Sequence, residues 1–180
     1  VSLMTHDLNA DGALDLVALG GQDAKVFLGD GTGGFELSDT VTVTEGLFEL
    51  INGGALGDLD GDGRAELVVG LGNEIVVLRG EEGGGFGEPA SFESGGGALQ
   101  IALGDLNGDT YADVAVANSS GDSVTLLLGD PQGGLQPEVI VPVGGGPKNV
   151  HLRDLNGDER LDMLVTNKLS DDVSVFYGDG

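Results

Sequence analysis

The sequence lacks, or has little of, the residue types on which several classes of protein depend. There is no cysteine among its 180 residues, which excludes disulfide bonds and thiolate metal sites. Lys and Arg number only 7 against 31 Asp and Glu, so nucleic-acid binding through phosphate contacts is excluded, and anionic membrane surfaces repel the chain. No apolar run approaches the roughly 18 residues of a membrane span, and no signal peptide is recognisable. Because the chain starts at Val1 instead of Met, we expect a processed or excerpted segment.

Helical periodicity is missing as well. No window has a convincing helical period, whereas alternation and β-branched residues recur along the whole chain. Proline is scarce, at 5 residues, and glycine is abundant, at 35, a combination that fits tight β-turns. A chain of 180 residues is long enough for one domain with its own core. We therefore predict a single all-β domain covering residues 1–180.

An acidic stretch that is present four times dominates the chain. The first copy covers residues 7–17, and later copies begin at Asp58, Asp105 and Asp154, at intervals of 51, 47 and 49 residues. A fixed period in this range marks a repeat architecture. We expect four repeats, at about 1–46, 47–95, 96–145 and 146–180.

Each copy places oxygen-bearing side chains at positions 1, 3, 5 and 9 of a nine-residue loop. The sixteen side chains are Asp7, Asn9, Asp11, Asp15, Asp58, Asp60, Asp62, Glu66, Asp105, Asn107, Asp109, Asp113, Asp154, Asn156, Asp158 and Asp162. Acidic groups on alternate positions repel one another unless a cation lies between them, and Ca²⁺ takes six to eight hard oxygens in flexible geometry. A backbone carbonyl at position 7 would add an oxygen; these residues are Ala13, Arg64, Tyr111 and Arg160. The pattern predicts up to four Ca²⁺ ions, one per repeat, with Gly12 and Gly63 at position 6 allowing a sharp turn.

An EF-hand or dockerin-type loop is the rival interpretation. Such a loop needs a bidentate acid at position 12 and flanking helices. Position 12 here holds Ala18, Val69, Val116 and Val165. The runs that follow the loops (LVALG, LVVGL, VAVAN and MLVTN) are short and apolar and end near Gly or Asn, which is typical of strands. Each loop is therefore expected to join two strands.

These features resemble a known family. The run DLNGD, the following strand and the later LGDG and GGF segments are similar to the FG-GAP/VCBS repeat, the calcium-binding blade of integrin-α-like β-propellers. The resemblance covers essentially the whole chain, and it implies that positions 1, 3, 5 and 9 carry calcium. The third and fourth copies depart from it at position 6, with Thr110 and Glu159 in place of Gly. The resemblance implies a propeller of four-stranded antiparallel blades; a solenoid or a sandwich is the other possibility.

Side chains outside the loops indicate no catalytic site. His6 and His151 occupy unrelated places on the innermost strands, where surface or channel-lining positions are expected, and no base is close in sequence to the serines of residues 119–123. Asn118-Ser119-Ser120 is an N-x-S sequon, which we expect in an exposed turn as a possible glycosylation site. Phe35, Phe86 and Leu135, at equivalent positions, are expected to fill the layers between blades.

Two functional hypotheses follow. The first is a non-enzymatic extracellular calcium-binding scaffold, adhesion or self-assembly module that recognises a protein or a glycan. The second is the propeller domain of a secreted carbohydrate-active enzyme or oxidoreductase, which the resemblance also permits. Secretion or a cell-surface location is expected because weak Ca²⁺ sites fill where the ion is about millimolar. The fourth repeat ends before a fourth strand, so we expect self-association or a longer parent chain.

Overall fold

The computed structural model describes residues 2–45, 51–136 and 139–179, together with the backbone but not the side chain of Leu99. These residues form fifteen β-strands and no helix, so none of them belongs to a helix that could cross a membrane. Sheet 1 contains β1 (Ser2–His6), β2 (Asp15–Gly20), β3 (Asp23–Gly29) and β4 (Phe35–Thr42). Sheet 2 contains β5 (Ile51–Gly57), β6 (Glu66–Leu71), β7 (Glu74–Gly80) and β8 (Phe86–Glu93). Sheet 3 contains β9 (Ala98–Gly104), β10 (Asp113–Asn118), β11 (Ser123–Leu127) and β12 (Val139–Pro142). Sheet 4 contains β13 (Pro147–Arg153), β14 (Asp162–Asn167) and β15 (Asp172–Phe176).

Every sheet is a meander in which consecutive strands pair antiparallel. The first strand of sheet 1 pairs Met4 with Val17, and the second pairs Val17 with Val26. The predicted all-β architecture of antiparallel repeats is thus confirmed, and the strands agree closely with the expected ones. The predicted strand starts at Val1 and Leu50, and the part of the predicted strand Gln136–Val143 at residues 137–138, lie outside the described residues.

The first strands of successive sheets lie side by side. Strand β5 contacts β1 and β9, and β9 in turn contacts β13. The early residues of all four first strands line one cavity of about 330 Å³, which includes Ser2, Asn52, Gln100 and Lys148. The first strand of each repeat is therefore the innermost one, and the four sheets are arranged like propeller blades.

Apolar side chains fill the interfaces between neighbouring sheets. Three buried clusters lie between sheets 1 and 2, sheets 2 and 3, and sheets 3 and 4. Because side chains alternate across a strand, Leu67 and Val69 of β6 pack toward sheet 1, while Val68 packs toward sheet 3. Strands β6 and β10 are consequently buried on both faces, whereas β2 alternates between buried and partly exposed residues.

The three equivalent residues Phe35, Phe86 and Leu135 have different environments. Phe86 is 6% exposed and packs in the interface with sheet 1, and Leu135 packs partly buried in the interface with sheet 2. Phe35 is 48% exposed, so the expectation that it fills such a layer is wrong. The physical reason is direction: this position faces the preceding sheet, and within the described residues no sheet precedes sheet 1.

Glycine turns after the third strands lock neighbouring sheets together. A Cβ added to Gly84 of sheet 2 would lie 3.1 Å from Leu28 and 3.3 Å from Leu8 of sheet 1. The equivalent Gly133 of sheet 3 lies equally close to Arg79 and Asp60 of sheet 2. Each turn therefore rests on the acidic loop of the preceding sheet.

Gly84→Ala is expected to lower the free energy of unfolding by about 1–3 kcal/mol more than Gly33→Ala. Both glycines have positive φ, +90° and +100°, so an alanine suffers similar backbone strain at either site, about 1–2 kcal/mol. Only at Gly84 does the new methyl group also overpack a neighbouring sheet. Urea unfolding of the two variants measures the difference. Equal losses would show that the turn of sheet 2 tolerates a methyl group against Leu8 and Leu28.

Candidate metal centre

The four acidic loops join the first strand of each sheet to the second. Loops 1 to 4 are residues 7–15, 58–66, 105–113 and 154–162. Their backbone is left-handed at positions 4 and 6, for instance at Gly61 (φ 75°) and Gly63 (φ 86°) of loop 2. The sequence analysis anticipated the turn at position 6 but missed position 4, where Gly61, Gly108 and Gly157 were the available signal. Thr110 (φ 78°) and Glu159 (φ 68°) adopt the same conformation at position 6 without being glycine.

Side chains at positions 1, 3 and 5 are oriented by backbone N–H groups of their own loop. In loop 2, Asp58 accepts hydrogen bonds from the N–H groups of Gly61 and Gly63 at 2.7 and 2.9 Å. Asp60 accepts from the N–H of Asp62 at 3.1 Å, and Asp62 from that of Arg64 at 2.8 Å. Equivalent bonds hold the side chains of the other loops, which are Asp7, Asn9, Asp11, Asp105, Asn107, Asp109, Asp154, Asn156 and Asp158. The N–H groups at position 7, from Ala13, Arg64, Tyr111 and Arg160, are the donors to position 5.

Position 9 differs from the other three positions because its carboxylate is buried. Asp15, Asp113 and Asp162 are 0% exposed and Glu66 is 1% exposed, whereas the four acids at position 5 lie on the surface. In loop 3, Asp113 accepts from the N–H of Leu106 at 2.8 Å and from that of Gly129 at 2.9 Å. The other three sheets repeat this pair of bonds. The position-9 carboxylate thus ties position 2 of its loop to the end of the third strand.

The glycine that ends this link is required by a close backbone approach. A Cβ at Gly29, Gly80, Gly129 or Gly178 would lie within 2.6 Å of the carbonyl oxygen of the residue preceding position 9. No side chain fits there, so the recurring LG pair at the end of the third strand is a packing requirement. The sequence analysis used this LG pair only as part of the family resemblance.

Burial changes the acidity of two position-9 groups. Desolvation raises the pKa of Glu66, and the hydrogen bonds from Leu59 and Gly80 oppose this effect. Desolvation also raises the pKa of Asp113, against the hydrogen bonds from Leu106 and Gly129. Nearby carboxylates at positions 1 and 3 or 5 add to both rises. A cation beside these groups would relieve the repulsion, because an opposite charge favours the ionised form.

Loop 2 brings its carboxylates closest together. One oxygen from each of Asp58, Asp60 and Glu66 lies within 4.8 Å of the other two. Two oxygens bound to one Ca²⁺ at about 2.3–2.6 Å are at most about 5 Å apart, so this spacing fits the ion. The fourth acid, Asp62, forms an ion pair with the Arg64 guanidinium. Hard oxygens, short separations and pre-oriented carboxylates therefore make this donor set suitable for calcium.

The sequon residue Asn118 is not in an exposed turn, and that prediction is wrong. Asn118 is the last residue of β10 and is 0% exposed. Its side-chain amide donates to the hydroxyl groups of Thr125 at 2.7 Å and Ser123 at 3.3 Å. Those bonds draw the asparagine inward, and a buried amide cannot carry a glycan in the folded protein. His6, on β1, and His151, on β13, belong to different sheets.

Asp62→Ala is expected to reduce calcium affinity more than Asp158→Ala. Loop 2 has four carboxylates and Gly63 at the left-handed position 6, whereas loop 4 has three and the strained Glu159. Loss of one site with Kd near ~0.1 mM at ~2 mM calcium removes about 1.8 kcal/mol of linked stability. Titration calorimetry on both variants measures the ranking. Equal losses of affinity would contradict it, and the extra methylene of Glu66 and the Arg64 ion pair are the features that would then explain the result.

The fold and the loops define an all-β repeat protein with one acidic loop per sheet. A family model described as FG-GAP-like repeat matches residues 7–69, 58–116 and 105–165. The chain therefore belongs to the FG-GAP-like repeat family, as the resemblance indicated. No curated protein matches the sequence.

Solved structures share the fold at low sequence identity. An Agrocybe aegerita lectin that recognises non-reducing terminal N-acetylglucosamine is 20% identical, with a TM-score of 0.71 over 99% of this chain and 50% of the lectin chain. BBS1N, solved in complex with ARL6DN, is 12% identical, with a TM-score of 0.65 over 99% of this chain and 57% of its own. The Photorhabdus luminescens Tc holotoxin pore is 18% identical, with a TM-score of 0.57 over 97% of this chain and 9% of its own. This chain thus spans about half the length of the first of these structures, and the likeness concerns the fold.

Proposed function

We propose that the chain is a non-enzymatic, calcium-stabilised propeller segment that recognises glycans outside the cell. The observation that carries the proposal is the repetition of one pre-oriented carboxylate loop in all four sheets, at the edge where the next sheet rests on it. An ion in such a place would stabilise the packing of neighbouring sheets. Extracellular calcium, at about millimolar concentration, would fill sites of this kind.

The engagement of the acidic residues supports a non-enzymatic role. Hydrolysis by paired carboxylates needs one group free to act as an acid and another free to act as a base or nucleophile. Both oxygens of the position-9 carboxylates accept backbone N–H groups, and those at positions 1, 3 and 5 accept N–H groups of their own loop. The acids of the loops are thereby committed to holding the backbone and, in this proposal, calcium.

Glycan recognition is supported by the lectin fold and by a groove between sheets 1 and 2. This groove has a volume of about 580 Å³ and lies between the outer strands β4 and β8. Carboxylate and hydroxyl groups of Asp39, Thr40, Thr42 and Glu88 line it. Such groups hydrogen-bond sugar hydroxyls, and the volume falls in the range of about 300–1,000 Å³ that is usual for ligand sites. We assign the glycan to this groove.

A glycan array probed with and without EDTA tests the proposal. The chain is expected to bind at least one terminal sugar in calcium and to lose that binding in EDTA, because the groove lies where sheets 1 and 2 meet. Glu88→Ala should weaken binding at least about tenfold, since loss of one charge-assisted hydrogen bond costs about 1.5–3 kcal/mol. Glu93→Ala, an exposed change on the same strand outside the groove lining, is the matched control. Failure to bind any glycan in calcium would contradict the recognition role.

A further inference from the structure

Two apolar sheet faces lie open at the two ends of the row of sheets. The leading face is the side of sheet 1 turned away from sheet 2, where Leu3 is 67%, Leu14 62% and Phe35 48% exposed. The trailing face is the side of sheet 4 turned away from sheet 3, where Val173 is 55% and Tyr177 68% exposed. Leu37 adds to the leading face, and Leu155 and Val175 to the trailing face. Apolar side chains this concentrated mark an interaction surface.

The same repeat positions are buried wherever a neighbouring sheet is present. Val173 and Val175 of sheet 4 correspond to Ala24 and Val26 of sheet 1, which are both 0% exposed against sheet 2. Leu155 corresponds to Leu59, which is 0% exposed against sheet 3. Both open faces therefore consist of positions that the repeat normally covers.

All three internal interfaces are built in the same way. In each, the trailing side of one sheet packs against the leading side of the next. The two faces left over are one trailing face and one leading face, which are the two halves of a fourth interface of this kind. We infer that a second copy of this chain docks head-to-tail, with its leading face on the trailing face of the first.

The glycine turn gives this docking a defined geometry. Gly84 and Gly133 rest on the acidic loops of the preceding sheets, but the equivalent Gly33 has no atom within 4 Å of its Cβ position. Loop 4 offers an acidic loop on which no such turn rests in the described part of the chain. In the docked pair, the turn at residues 29–35 of one copy lies on loop 4 of the other, beside Tyr177. Tyr177 stands where Leu28 stands beside Gly84.

Head-to-tail contacts are heterologous, so they form a ring if the rotation closes and a filament if it does not. Like-with-like docking, of two leading faces or two trailing faces, would instead stop at a dimer. Each copy has a formal net charge of −24, so association is expected in calcium and at moderate salt, where repulsion between copies is screened. This inference goes beyond the proposed glycan recognition and does not depend on it.

Complementation between two single-face variants tests the inference. Leu3→Asp places a charge on the leading face, and Tyr177→Asp places one on the trailing face; both residues are exposed, so the fold is preserved. In calcium, sedimentation should show the unmodified chain as two or more 18.1 kDa units and each variant alone as one unit. An equimolar mixture of the variants should form a pair that grows no further, because only one intact interface remains. Each substitution should weaken self-association at least about thirty-fold, since it would bury an unpaired charge.

Ile140→Asp, an exposed change on β12 away from both faces, is the control and should associate normally. Circular dichroism verifies the fold of every variant, and Leu14→Asp with Val175→Asp provides a second pair. Association of either variant by itself would overturn head-to-tail docking, as would a monomeric unmodified chain or a mixture that fails to pair. A chain that binds glycans but stays monomeric would overturn only this inference, whereas one that assembles but binds no glycan would leave it intact.

Discussion

Chelation of calcium with EGTA is expected to lower the melting temperature by about 14–28 °C. With Kd near ~0.1 mM and free calcium near ~2 mM, linkage gives about 1.8 kcal/mol per site, or about 7 kcal/mol for four sites. That is comparable to the whole stability of a typical domain. For a chain of this length, each kcal/mol shifts the melting temperature by about 2–4 °C. The effect should be large because the acidic loops lie at the edge where successive sheets meet.

Circular dichroism melting in calcium and in EGTA measures this shift. Readdition of calcium in excess over EGTA is the control, and it should restore the original melting curve. The same melting curve in calcium and in excess EGTA would refute a stabilising role of the ion. The loops would then be acidic turns held together only by their own N–H bonds.

Asp113→Ala is expected to destabilise the protein even without calcium. The variant should lose about 2–5 kcal/mol in EGTA, because the buried N–H groups of Leu106 and Gly129 lose their acceptor, at about 1–3 kcal/mol each. Desolvation raises the pKa of Asp113, so removal of a buried charge offsets part of that loss. Urea unfolding in EGTA and in calcium measures the free energies.

Asp109→Ala in the same loop is the matched control. Asp109 is exposed, and its carboxylate accepts from the N–H of Tyr111 and from the amide of Asn107. Its loss should cost less than about 1 kcal/mol in EGTA, where water replaces the carboxylate, and more in calcium. Equal costs for the two variants in EGTA would contradict the view that position 9 holds the backbone independently of calcium.

The local features of the chain followed from the sequence. Alternation and turn residues predicted the strands, and the regular spacing of Asp7, Asp58, Asp105 and Asp154 predicted four sheets. Left-handed turns at Gly12 and Gly63 were equally predictable, because glycine at a fixed place in a short loop indicates a positive φ. These features depend on neighbouring residues along the chain, and so a single sequence contains them.

The environment of equivalent residues was decided only by the tertiary structure. Phe35 and Phe86 occupy the same repeat position, yet one is exposed and the other buried, because only sheet 2 has a sheet before it in the described chain. Asn118 reads as a surface sequon but lies inside, where Thr125 and Ser123 accept its amide hydrogens.

The site shows the same division. Sixteen oxygen-bearing side chains at positions 1, 3, 5 and 9 were predictable as a repeated set from their spacing. The special place of Asp15, Glu66, Asp113 and Asp162 was not, because one of their two hydrogen-bond donors lies at the end of the third strand, 14 or 16 residues away. The sequence by itself determined which atoms are available to a cation. Packing of the third strand and of the next sheet decided which carboxylates are buried and which remain at the surface, because burial depends on segments that are distant along the chain.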